Sequence, residues 1–121
     1  MNNFLVECCA NSIKSALEGE KGGAHRIELC SNLEFGGITP SRKEISETKE
    51  AINIPIRVLI RPRVGDFIYN EHEYQQIISC HSWEKLSNRI YCITFLFKIF
   101  ISASSSNFHS IINIVGILYF E

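Results

Sequence analysis

His25-Arg26-Ile27-Glu28-Leu29-Cys30 carries more structural information than any other stretch of this chain. Successive side chains of an extended strand point to opposite faces, so Arg26, Glu28 and Cys30 share one side and Ile27 and Leu29 the other. A parallel strand covered by helices on both faces reads as an almost unbroken apolar run. One charged side therefore asks for a sheet whose second face encloses polar groups.

Moving toward the N-terminus, Phe4 to Cys9 is a short apolar run interrupted by Glu7, which predicts a first strand. Asn11-Ser12 can accept the unpaired N–H groups of a following helix, and Ile13, Ala16 and Leu17 fall on one helical face before Gly22-Gly23 stop it. On the other side, Gly36-Gly37 and Pro40 make a loop, and Ser41-Arg42-Lys43-Glu44 is a capping box. The second helix shows Ile45, Thr48 and Ile52 on its apolar face and ends at Asn53, before Ile54-Pro55. Ile56 to Ile60 is a third strand, and Asn70 with Glu73 opens a third helix striped by Tyr74, Ile77 and Ile78.

Strands alternating with helices imply an α/β fold of βαβ units with parallel strands and right-handed crossovers. A doubly wound nucleotide-binding sheet favours a glycine-rich turn after the first strand, and Cys9-Ala10-Asn11-Ser12 has no glycine. A (β/α)8 TIM barrel fits better, because its interior opens to a site that can hold charges. Such barrels take about 250 residues, so the expectation is the N-terminal three βα units of one.

The chain has 121 residues, 45% hydrophobic and 21% charged, with a net charge of −1. That supports one small domain and no basic footprint for nucleic acid. Five cysteines make an odd number, and Met-Asn-Asn-Phe-Leu-Val-Glu lacks the basic segment and long apolar run of a secretory signal. Reduced thiols in the cytosol are expected.

If Val6, Ile27, Leu29, Val58 and Ile60 face the helices, then Glu7, Cys9, Glu28, Cys30, Leu59 and Arg61 face inward. Cys9 and Cys30 then lie at the mouths of neighbouring strands, roughly 4.8 Å apart, where two thiolates can converge on one Cu(I), zinc or iron–sulfur species. Buried cysteine also packs as a small hydrophobe, which is the reading for Cys8 on the opposite phase. His25, His72, His81 and His109 show no ligand spacing. Arg61 and Arg63 at the mouth can clamp a small anion, with Glu7 or Glu28 as acid or base, which would make the protein an enzyme. Alternatively, Arg61 neutralises Glu7 and Glu28 inside the barrel. No usual nucleophile or phosphate-loop motif accompanies these residues.

Four stretches together carry a resemblance: Val6-Glu7-Cys8-Cys9, then Gly22-Gly23-Ala24-His25-Arg26-Ile27-Glu28-Leu29-Cys30-Ser31, then Gly36-Gly37-Ile38-Thr39-Pro40-Ser41, and Ile60-Arg61-Pro62-Arg63-Val64-Gly65-Asp66-Phe67. From Phe4 to Ile78 the chain resembles the copper homeostasis protein CutC family. It departs from that family at His25, where aspartate is usual, at Val64, where glycine is usual, and at Cys8, where an apolar residue is usual. The resemblance implies a TIM barrel, a cytoplasmic location, self-association into a homo-oligomer, and a role in handling copper. It also matches Cys9 and Cys30 to positions proposed to bind Cu(I).

Residues 81–121 read differently from the CutC-like segment 1–80. From position 90 onward only Lys98 and Glu121 are charged, among many Ile and Phe. Neither apolar run there reaches the roughly 20 residues of a membrane-spanning helix. The AT-rich codons of Ile, Phe, Asn, Lys and Tyr suggest intron read-through or a frameshift. The expectation is a truncated, aggregation-prone form, functional or not, whose third strand is left at an edge of the sheet.

Overall fold

The structure is a computed structural model and describes residues 4–82, 88–94 and 98–99. Along the chain come β1 (Glu7–Ala10), α1 (Ile13–Lys21), β2 (Arg26–Leu29), α2 (Arg42–Ala51), β3 (Ile56–Ile60), β4 (Ile68–Tyr69), α3 (Glu71–His81), β5 (Ile90–Thr94) and β6 (Lys98–Ile99). A single 3-10 turn, Leu33–Phe35, follows β2. The main sheet runs in the order β1-β2-β3-β5 with every pairing parallel, and β4 and β6 pair separately.

Each helix begins where the sequence places a cap. Ser12 and Ser15, Ser41 and Glu44, and Asn70 and Glu73 satisfy each other's backbone N–H groups at the starts of α1, α2 and α3. The predicted apolar stripes face the sheet: Ala16 from α1, Ile45 and Thr48 from α2, and Tyr74 and Ile77 from α3 are buried, as is Ile52 just beyond α2.

Register then sorts the strand residues into two faces. Cys8, Ile27, Ile56 and Ile90 align across the sheet, as do Ala10, Leu29, Val58 and Cys92, and together with Ile60 these line the helix side. Gly19 lets α1 come close there. A Cβ at Gly19 would lie 2.9 Å from both Cys8 Sγ and Ile27 Cδ1. Cys8 is thus a packing residue, as its phase predicts.

Two features differ from expectation. The third strand is not at an edge, because Ile56 to Ile60 pairs along its length with β5, from the segment read as a tail. Ile90 and Cys92 alternate inward to the core, and that period of two places them in the sheet. The short β4 was read as loop because two residues carry no periodicity. The remainder of the expected tail lies outside the described residues.

Candidate metal centre

The opposite face of the sheet is polar. Glu7 aligns with Arg26 at its lower end, and above them Cys9, Glu28, Arg57 and Tyr91 form one row across all four strands. Cys30 follows Leu29 at the end of β2, and its N–H donates to the Ala10 carbonyl at 3.0 Å, tying the cysteine-bearing ends of the first two strands together. Strand parity alone brings Cys9, Glu28 and Cys30 to one face at the C-terminal strand ends, as the sequence predicts.

The two thiols differ in access. Cys9 is exposed as a residue, and its Sγ donates to Glu28 Oε2 at 3.4 Å. Partial burial, then Glu28, Cys30 and Glu7, push this thiol up to about 11. Cys30 is only 3% exposed, and burial, Glu28 and Glu34 push its thiol up as well. Both are therefore protonated at neutral pH, and a cation that binds them must displace protons. Among the described residues, no group of three or more His, Cys, Asp or Glu could hold a metal ion. Two sulfur donors with a carboxylate between them suit a soft cation content with few ligands, and poorly suit a tetrahedral zinc.

The charges sort otherwise than expected. Glu7 is neutralised by Arg26, whose Nε bonds its Oε2, and by Arg57, whose Nη1 lies 3.2 Å from the same oxygen. Arg61 pairs with neither Glu7 nor Glu28. It is 8% exposed; its Nη1 donates to the carbonyls of Gly37 (3.0 Å) and Phe35 (3.3 Å), and its Nη2 to that of Gly65 (2.8 Å). The guanidinium lies 4.9 Å from the Phe67 ring centroid. Its Nε is buried and finds no partner among the described residues.

Arg63 is committed to Glu73 at 2.5 Å and Asp66 at 3.2 Å, and ties the loop after β3 to the start of α3. Sequence reading missed Arg57, although it shares the phase of Leu59 and Arg61. A cavity of about 260 Å³ lies elsewhere, between the end of β3 and α3, lined in part by Ile60, Gln76, Ile77 and Cys80. It contains none of these residues.

A parallel β/α sheet that presents its polar face and its soft donors at the C-terminal strand ends defines a TIM-barrel type of α/β protein. The profile of the CutC family matches residues 4–85, and the chain belongs to that family. It is 50% identical over 74 residues to the copper homeostasis protein cutC homolog of Homo sapiens, covering 61% of this chain and 27% of that protein. A CutC family protein of Parabacteroides distasonis is 49% identical over 75 residues, covering 61% and 31% respectively. The chain thus spans about a third or less of these relatives. The crystal structure of the CutC protein of Streptococcus agalactiae superposes with a TM-score of 0.65 at 31% identity, covering 78% of this chain and 48% of that one. No helix among the described residues is long and apolar enough to cross a membrane.

Proposed function

We propose that this chain handles copper as Cu(I), in the cytoplasm, through the thiols of Cys9 and Cys30. The observation that carries the reading is their convergence with Glu28 on the polar face at the ends of β1 and β2. Thiolates select Cu(I) over hard cations, and d10 Cu(I) is content with two of them. Copper is here a cargo, and the sulfur pair its holder. The alternative, an enzyme gripping a small anion, finds less support, since Glu7 is held by two arginines and both Nη groups of Arg61 are spent on backbone carbonyls.

An anaerobic competition titration against a Cu(I) chelator tests this. The whole chain should take up about one ion, and Cys9→Ser/Cys30→Ser should lose that uptake. Equal uptake by the double variant would overturn the reading.

A further inference from the structure

Cys30 is buried beneath one particular piece of backbone. A Cβ built on Gly37 would lie 3.2 Å from Cys30 Cβ and Sγ and 2.9 Å from Leu59 Cδ2, so only a glycine lets the turn sit on the thiol. That turn is closed on itself by Ser31 and Ile38, which exchange N–H···O bonds of 2.9 and 2.8 Å, and by Gly37 N–H to Asn32 O at 3.1 Å. Its conformation uses left-handed backbone at Asn32, Gly36 and Gly37. It moves, then, as a unit.

Arg61 fastens that unit to the neighbouring loop. One guanidinium bonds Phe35 O and Gly37 O on the turn and Gly65 O on the loop after β3. These acceptors are neutral carbonyls. Opening forfeits the hydrogen bonds but strands no carboxylate, and it returns a buried cation to water, which offsets part of the loss. Such a fastening is reversible in a way that a buried ion pair is not.

We propose that the 32–37 turn is a cover over the Cys30 thiol and that Arg61 is the positioning residue that holds it shut. Cys9, outside the cover, is the thiol at which a soft cation arrives, and Cys30 the one that retains it; this half rests on the copper reading above. Cys9 takes Cu(I) from a thiol complex by exchange. Each Cu–S bond formed to Cys9 or Cys30 breaks one to the delivering thiolate, which leaves with the cysteine's proton, and no electron changes hands.

Site-resolved alkylation of the whole chain, read by peptide mass spectrometry, tests the cover without metal. Rates are compared for iodoacetamide and a bulky poly(ethylene glycol) maleimide, and the bulky-to-small ratio at each cysteine removes the effect of thiol acidity. The ratio at Cys30 should be about tenfold below that at Cys9, and both Arg61→Lys and Arg61→Gln should raise it toward the Cys9 value while Cys92 in the core stays protected. Equal ratios at Cys9 and Cys30 in the wild type overturn the proposal. So does a Cys30 ratio unmoved in both variants, or Cys92 opening together with Cys30 in both. With Cu(I) bound, Cys9→Ser should slow uptake more than Cys30→Ser does, and Arg61→Lys should speed release to a chelator severalfold. A chain that takes up no Cu(I) overturns the copper reading and the division of labour between the thiols, while the alkylation ratios decide the cover independently.

Discussion

One oxygen of Glu7 serves both Arg26 and Arg57, from side chains that are about a fifth exposed or less. Removing a partly buried carboxylate that two cations share costs more than a surface pair is worth, because both guanidinium groups were desolvated against it. Glu7→Gln should therefore lower unfolding stability by about 2 kcal/mol in a denaturant titration. A loss within error of zero would mean that the two arginines are compensated without Glu7. The same residue sets the lower limit of the site, since it keeps positive charge at the N-terminal end of the polar face and leaves Glu28 beside the thiols.

At the scale of elements, capping is both local structure and a titratable contribution. Glu44 at the start of α2 and Glu73 at the start of α3 have carboxyls held below the usual range, the first by Ser41 and then Ser31, the second by Asn70 and then Arg63. Asp66 is lowered likewise, by the Ile68 N–H and then Arg63. A carboxyl whose folded pKa lies below its unfolded one lends stability that is full above about pH 5 and lost as the pH falls through the folded value. Stability should accordingly drop on acidification below about pH 4.5, and Glu44→Gln/Glu73→Gln should flatten that slope in denaturant midpoints measured across pH. An unchanged slope would contradict the assignment. These helix starts were legible in the sequence because a capping box is a three-residue signal, and so were the strands, because Glu28 and Cys30 alternate with Ile27 and Leu29. The pairing of Glu7 with Arg26 and Arg57 was not, since it depends on register between strands distant in sequence. Neither was the role of Arg61, whose acceptors are backbone carbonyls and leave no side-chain pattern to read. β5 escaped notice for a third reason: in an apolar stretch, strand periodicity has little polar contrast to show itself against.

For the molecule as a whole, the parallel sheet has Glu7–Ala10 paired on one side only among the described residues. A strand edge with unpaired N–H and C=O groups favours association, and three exposed apolar residues, Phe4, Leu5 and Val6, precede it. We therefore propose a homo-oligomer, and light scattering should give a mass above the 13.8 kDa of one chain. A monodisperse species of that mass would refute it. The central claim concerns what the polar face of this sheet holds. X-ray absorption at the copper K-edge, on the whole chain loaded anaerobically with Cu(I), tests it most directly. A first shell of sulfur alone, lost in Cys9→Ser/Cys30→Ser, is the expected spectrum; a nitrogen or oxygen shell, or a sulfur shell unchanged in the double variant, would contradict the Cys9–Cys30 site.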